Sequence, residues 1–227
     1  MALKPYYEEA KTGIVLYHGD ARSVLPELGI YDLCLTDPPY GVGINYAEFQ
    51  DNTANLKQLI ADMFPLIRQS AAVTLMTVGN VNAWEWPRPD WVIAWVIDGG
   101  VTCGPWGYCC WQPIFAYGKC PYLREGLGGR PDMVACNVPS PVNGHPTPKP
   151  EALWTWLLKR GAPRKTDRIL DPFCGSGTTL YVAKKNGNRA VGIELSEKYC
   201  EIAARRLEQC VMLPFEEAPI TKELFQK

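Results

Sequence analysis

The sequence has few of the residues that build metal sites and disulfide frameworks. It contains only two histidines, His18 and His145, and no Cys-x-x-Cys pair, although nine cysteines are present. The cysteine spacing is irregular, with Cys109 and Cys110 adjacent. Structural zinc sites and disulfide scaffolds show regular cysteine or histidine spacing, so we expect no metal site and no disulfide framework. Most of the cysteines are expected to be small, buried, hydrophobic residues.

Long apolar runs and a global excess of basic charge are also absent. No run approaches the roughly 20 apolar residues that span a bilayer, and residues 1–5 lack the apolar core of a signal peptide. We therefore expect no membrane partner and a cytoplasmic location, in a bacterial or phage-infected cell. The formal net charge is -1, so the overall charge does not by itself indicate a nucleic-acid partner.

What is present is a chain of 227 residues with 47% hydrophobic residues, which suits a single domain with a sizeable core. Short apolar runs alternate with helical patterns, and this alternation predicts a doubly wound, mainly parallel α/β sheet of the Rossmann-like type. The predicted strands cover residues 13–19, 31–37, 72–79, 91–97, 108–118, 168–173 and 189–195. The predicted helices include one around residues 56–67, which Pro65 should kink or break, one over 177–186 and one over 196–209.

The stretch from residue 120 to 150 breaks this alternation. It is rich in glycine and proline and has little periodicity. We expect a long loop or a small insertion there, and loops of that length in compact domains are usually functional or disordered.

The first segment with chemical content is Asp-Pro-Phe-Cys-Gly-Ser-Gly-Thr-Thr at residues 171–179. It follows an apolar run and opens a predicted helix, which is the arrangement of a nucleotide-binding corner. Glu194 ends the next predicted strand, about 20 residues further on, where an acid can hold ribose hydroxyls. These features do not distinguish a dinucleotide from S-adenosylmethionine, and an ordinary tight turn also stays open.

The second segment is Asp37-Pro38-Pro39-Tyr40, at the end of the apolar run 33–35. Two successive prolines make a stiff turn beyond the carboxyl end of a strand, where open parallel sheets bind their ligands. The turn offers a carboxylate and backbone carbonyls beside an aromatic ring. A flat heterocycle with an amino group fits such acceptors. The alternative is a rigid turn without chemistry.

Together the two segments resemble the amino-methylating DNA methyltransferases. Because Asp-Pro-Pro-Tyr comes first and the glycine loop comes late, the order resembles the beta class, whose chain is circularly permuted relative to most class I methyltransferases. The resemblance implies S-adenosylmethionine as the cofactor and double-stranded DNA as the partner, with the target base flipped out of the duplex, as in the methyltransferases of restriction-modification systems.

Further stretches agree with this family. Residues 145–150 resemble the segment before its cofactor loop and lead into a predicted helix over 151–160, and Gly19-Asp20 resembles the segment that contacts the adenine of the cofactor. The resemblance implies Asp37, Pro38, Pro39 and Tyr40 as catalytic residues. It implies as cofactor-binding residues Asp20, His145, Thr147, Lys149, Asp171, Pro172, Phe173, Cys174, Gly175, Ser176, Gly177, Thr178, Glu194 and Leu195.

One departure concerns target recognition. The family usually carries a recognition region between the two halves, whereas here, within one domain of residues 1–227, only the short insertion 120–144 is available, too short for a substantial folded domain. Either specificity is relaxed, or the site is short, or a second subunit of a homodimer or a separate protein supplies recognition. Within or beside this region we assign Arg124 and Arg130 to DNA, with phosphate contacts favoured, and Trp111 to the neighbourhood of the target base.

The target atom predicted from the resemblance is N6 of adenine. Family members that methylate N4 of cytosine more often carry serine in place of the first aspartate, and here that position is Asp37. Cytosine N4, an RNA or protein-amide substrate, and a non-catalytic DNA-binding relic of the fold are the alternatives. The motif order argues against the second of these, and the intact motifs argue against the third.

Overall fold

The computed structural model of the protein describes residues 3–44, 46, 48–100, 102–138 and 149–209. The strands are β1 (Tyr7–Glu9), β2 (Ile14–His18), β3 (Tyr31–Thr36), β4 (Ala71–Thr77), β5 (Trp91–Val96), β6 (Thr102–Gly104), β7 (Gly107–Cys109), β8 (Trp111–Tyr117), β9 (Met133–Ala135), β10 (Ile169–Asp171) and β11 (Ala190–Glu194). The helices are α1 (Ala21–Val24), α2 (Thr53–Ser70), α3 (Pro121–Arg124), α4 (Glu151–Gly161), α5 (Thr178–Asn186) and α6 (Glu197–Glu208). Short 3-10 turns cover Leu25–Glu27 and Ala83–Glu85.

Nine of these strands form one sheet in the order β1-β2-β11-β10-β3-β4-β8-β5-β9, and β6 and β7 form a separate hairpin. The strands from β2 to β4 in this order are parallel, and β8 runs antiparallel to both β4 and β5. The sheet is therefore mainly parallel, as predicted. Because late strand β10 pairs with early strand β3, both sequence motifs leave the sheet side by side at one edge. We call this the site edge.

Helices cover both faces of the sheet, which explains why its central strands are apolar on both sides. In β3, Leu33 and Leu35 pack in the cluster formed with α4, α5 and α6, whereas Cys34 packs in the cluster formed with α1 and α2. None of the described helices is long and apolar enough to cross a membrane.

Several details differ from the sequence-based expectations. Helix α2 continues through Pro65 to Ser70, so the proline does not break it. The predicted strand 108–118 is divided between β7 and β8. The stretch predicted to be a loop contains α3 and β9, and β9 joins the sheet beside β5. Of the eight described free cysteines only Cys34, Cys174 and Cys200 are buried, so the expectation that most are buried is wrong.

Gly177 fixes the distance between α5 and α6. It is the N-cap of α5, with φ 80°, and a Cβ atom there would lie 2.9 Å from Cβ of Ala203 in α6. Gly128 also has φ 80°, but nothing lies within 4 Å of its Cβ position. The two glycines therefore have the same backbone requirement and differ in packing.

We predict that Gly177→Ala lowers the free energy of unfolding by about 2–4 kcal/mol, because backbone strain and a steric clash add. Gly128→Ala, the matched control, carries only the strain, on the order of 1 kcal/mol. Urea denaturation of both variants measures the difference. Equal destabilisation would contradict the idea that the close approach of α5 and α6 constrains this position.

Candidate active site

The loop after β3 and the glycine turn after β10 border one cleft of about 330 Å³ at the site edge. This volume lies in the range of small-molecule sites. Asp37 and Pro39 line the cleft, while Pro38 is buried and Tyr40 is half-buried. The predicted cofactor residues that line it are Asp20, Lys149, Asp171, Pro172, Phe173, Cys174, Gly175, Ser176, Thr178, Glu194 and Leu195. Gly177 caps α5, and His145 and Thr147 lie outside the described residues.

The Asp171 carboxylate ties the two motifs together. Its Oδ1 accepts hydrogen bonds from the Thr36 hydroxyl at 2.6 Å and from the Phe173 backbone N–H at 3.0 Å. Its Oδ2 accepts the Thr179 hydroxyl at 2.5 Å. The side chain is only 3% exposed, and burial raises the pKa of this carboxyl to about 6. Asp171 therefore joins the ends of β3 and β10 to the start of α5.

Glu194 supports the glycine turn from the next strand. Its Oε2 accepts the Gly175 backbone N–H at 2.7 Å, and its Oε1 accepts the Ser196 N–H at 2.8 Å. Burial raises the pKa of Glu194. Each carboxylate oxygen can accept a further hydrogen bond, so Glu194 can hold both the turn and a hydroxyl group in the cleft.

Asp37 is the centre of a second polar cluster. Its Oδ1 accepts the Tyr40 hydroxyl at 2.6 Å and also the Thr77 hydroxyl, and its Oδ2 accepts the Lys149 ammonium group. The Lys149 Nζ lies 5.0 Å from the centroid of the Tyr40 ring. Burial, with the Asp37 carboxylate nearby, holds the pKa of Tyr40 well above its ordinary value, so its hydroxyl stays protonated and donates.

The loop that follows Asp37 is held from two sides. The buried Asp51 carboxylate accepts the backbone N–H groups of Gly41 at 2.6 Å, Val42 at 3.1 Å and Ile44 at 3.0 Å. The Asn82 side chain donates to the carbonyls of Tyr40 at 2.8 Å and Gly41 at 3.1 Å. These bonds leave little freedom for the Asp-Pro-Pro-Tyr turn.

The sequence analysis did not identify the residues that support this cluster. Thr77 ends β4 beside β3, and a polar residue at the carboxyl end of an apolar strand was a usable signal. Asp51 and Asn82 gave no such signal, since their partners are backbone groups of another segment. Other lining residues that it missed come from α2, α6 and the loop after the motif, namely Asn55, Gln58, Leu59, Asp62, Met63, Tyr199, Tyr46, Glu48 and Phe49.

The residues assigned to DNA lie at different edges. Trp111 is at the site edge, where its carbonyl accepts the Asn80 side chain at 2.9 Å. Arg124 ends α3, which packs beside the carboxyl end of α4 through a 3.0 Å hydrogen bond from Tyr122 to the Lys159 carbonyl. Arg130 lies 4.5 Å from the Tyr122 ring centroid. Both arginines are thus at the opposite edge, and their assignment to DNA stays a prediction that the site geometry does not support.

Comparison with known proteins agrees with the motifs. A family model described as DNA methylase matches residues 112–205. The type II methyltransferase M.ScaI of Streptomyces caespitosus is 27% identical over 259 aligned positions, covering 90% of this chain and 84% of that protein. The PvuII DNA methyltransferase, described as cytosine-N4-specific, superposes with a TM-score of 0.69 at 13% identity, covering 90% of this chain and 89% of the other. The M1.HpyAVI–SAM complex gives 0.60 at 21% identity over 85% and 98%.

The chain is thus similar to the N6-adenine/N4-cytosine DNA methyltransferases, in agreement with the predicted family, and the predicted fold is confirmed. The comparisons support the predicted cofactor, S-adenosylmethionine, because the similar M1.HpyAVI structure is a SAM complex. The chemistry of the cleft fits this cofactor, which carries a positive sulfonium and hydroxyl and amino donors. The lining supplies the acceptor carboxylates of Asp20 and Glu194 and the apolar side chains of Phe173 and Leu195.

Asp171 gives a prediction on pH dependence. The folded chain holds this proton up to about pH 6, whereas an ordinary aspartate has a pKa of 3.8. The folded state therefore binds more protons between these values, and stability falls as the pH rises through this window. We expect the wild type to lose on the order of 2–3 kcal/mol relative to Asp171→Asn between pH 4 and pH 6.

Urea denaturation of both proteins at several pH values measures this difference. Because both proteins contain the same other carboxyl groups, the pH dependence that those groups cause cancels in the comparison. Parallel curves for the two proteins, or a wild type that gains stability relative to the variant over this range, would contradict the raised pKa of Asp171.

Proposed function

We propose that this protein methylates N6 of adenine in double-stranded DNA, after the base has flipped out of the duplex. The observation that carries the proposal is the cluster around Asp37, in which a carboxylate oxygen and an aromatic ring hold the amino group of Lys149 between them. The exocyclic amine of a base needs the same two partners, an acceptor for its N–H groups and a ring for stacking.

The two hydroxyls on Oδ1 fix the direction of the Asp37 carboxylate. Since Tyr40 and Thr77 occupy Oδ1, the remaining lone pair of Oδ2 is the acceptor for the incoming amine. The Pro38 carbonyl accepts the second N–H. These bonds make the amine nitrogen more tetrahedral and free its lone pair, which in the isolated base is conjugated with the ring. When bound, S-adenosylmethionine supplies an electrophilic methyl group.

Lys149 has two roles in this proposal. Its ammonium group balances the charge of the partly buried Asp37 carboxylate, and its side chain is only 12% exposed. The ammonium group also lies near the Tyr40 ring, where the base is to stack. When the base enters, the ammonium group therefore moves away from the ring and keeps its contact with Oδ2 of Asp37. Lys149 thus serves the target site, in addition to the cofactor role implied by the resemblance.

Adenine is preferred to cytosine because the first motif residue is Asp37, where N4-cytosine enzymes more often carry serine. The likeness to the cytosine-N4-specific PvuII enzyme, at 13% identity, is a likeness of fold. The experiment is methyl transfer from isotopically labelled S-adenosylmethionine to unmethylated, enzymatically amplified double-stranded DNA, followed by digestion to nucleosides and mass spectrometry.

We predict label in N6-methyladenine for the wild type and a loss of at least a thousandfold in Asp37→Ala, because the amine then has no carboxylate acceptor. Cofactor binding, measured by calorimetry, should change little in this variant. Label in N4-methylcytosine would overturn the choice of base and keep the site. Absence of label from DNA, with the cofactor still bound, would overturn DNA as the substrate of this site, and substantial activity of Asp37→Ala would refute the mechanism.

Thr77 is a positioning residue, and its hydroxyl can be tested separately. We predict that Thr77→Val, which keeps the shape of this buried side chain, lowers kcat about tenfold because Oδ1 loses one of its two donors. Thr77→Ser keeps the hydroxyl and should restore most of the rate. The dissociation constant of the cofactor should be the same in all three proteins. A valine variant with unchanged kcat, or a serine variant equally impaired, would exclude this role.

A further inference from the structure

The hairpin of β6 and β7 leaves the sheet at the site edge. It connects the carboxyl end of β5 to the amino end of β8, and these ends pair at Val96 and Trp111. Strand β8 runs antiparallel to β4, so the start of β8 lies beyond Thr77, the last residue of β4. The hydrogen bond from Asn80 to the Trp111 carbonyl joins the base of the hairpin to the segment after β4. The hairpin therefore leaves the sheet at the same edge as the Asp37 cluster, with β4 between β3 and β8.

The tip of this hairpin is aromatic and uncharged. The Trp106 side chain, in the turn between the two strands, is 100% exposed, and Tyr108 is 77% exposed. No residue from 99 to 118 carries a formal charge. Large aromatic surface fully exposed to water is unfavourable and is typical of an interaction site.

The chemistry of the reaction indicates what covers this tip. A base that flips into the cleft leaves a gap in the DNA stack, and unstacking costs a few kcal/mol that an inserted side chain can offset. A group that fills such a gap must be flat, apolar and able to reach the duplex from the site edge. Neutralising the charge of the phosphates needs basic groups instead, and residues 99–118 contain none.

We propose that Trp106 is a wedge that inserts into the DNA stack beside the target base and stabilises the flipped state. This inference rests on the proposed function, since it requires a base to leave a duplex. A second copy of the chain that covers the same aromatic tip is the competing occupant, and the experiment distinguishes it.

The test compares Trp106→Ala, Trp106→Phe and Trp91→Ala with the wild type. Trp91 is a matched control, because it is 61% exposed and lies at the amino end of β5, at the opposite edge. The rate kcat/KM is measured on amplified duplex DNA and on the same DNA after heat denaturation. Denatured DNA needs no wedge, since its bases are already unpaired and enter the cleft without opening a duplex.

We expect Trp106→Ala to lose about tenfold or more on duplex DNA and less than about twofold on denatured DNA. The phenylalanine variant should keep most of the duplex activity, Trp91→Ala should match the wild type, and cofactor binding should be unchanged. Equal losses on both DNA forms, or no loss on duplex DNA, would overturn the wedge. A shift of Trp106→Ala to a smaller species in light scattering would assign the tip to a second copy instead.

A second measurement separates this inference from the proposed function. The fluorescence of Trp106 is obtained as the difference between the wild type and Trp106→Phe, with acrylamide as the quencher. DNA should shield this component strongly and leave that of Trp91 unchanged. If the wild type methylates neither form of DNA, the proposed function fails, and the fluorescence still decides the wedge: accessibility unchanged by DNA overturns it.

Discussion

The buried Asp171 carboxylate accepts hydrogen bonds from groups at the ends of β3 and β10 and at the start of α5. A carboxylate out of water is stable only when such donors are all in place. The three elements therefore keep a fixed relative position. Thr36 is one of the donors and directly precedes Asp37, so the same network that shapes the cofactor turn also places the residue expected to hold the target amine. The rest of the site depends on this link.

A second polar cluster extends the network from Asp37 to β4 and to the chain before α4. Asp37 and Asp171 are close enough for the charge of Asp37 to add to the raised pKa of Asp171. Lys149 compensates the repulsion by its ion pair with Asp37. The two carboxylates thus take different roles. Asp171, with its raised pKa and three donors, is structural, whereas Asp37, half-exposed in the cleft, is available to a substrate.

The sequence was sufficient to predict the central strands and both motif turns. Apolar runs identify strands buried on both faces, and glycine and proline mark where the chain turns. The partners of the motif residues were not predictable in this way. Thr77 reaches Asp37 only because β4 lies beside β3. Asp51 accepts hydrogen bonds from three backbone N–H groups of the loop after Asp37, and the sequence around Asp51 does not indicate these partners. These contacts depend on the order of the strands in the sheet and on the path of the loops. Local sequence patterns give no information on either.

The placement of Arg124 and Arg130 shows the same limit. Position 120 follows β8, and because β8 runs antiparallel to β4, the chain there has returned to the edge opposite the site. The residues that follow β8 therefore lie far from the site, although β8 begins at the site edge. The described part of the predicted insertion, residues 120–138, packs α3 against α4 and adds β9 to the sheet before it comes back toward the site edge.

The β6–β7 hairpin carries Trp106, the most exposed aromatic side chain among the described residues, and it leaves the sheet at the site edge. An unpaired tryptophan at its tip lowers the solubility of the free protein and contributes nothing to its core. In the proposed complex the same surface becomes buried when the duplex opens, so its stacking free energy is gained in the flipped state and is absent from the initial encounter. An interaction confined to that state favours base extrusion over non-productive binding to intact duplex. In the proposed complex, the exposed tip and the Asp37 cluster therefore act on the same flipped base.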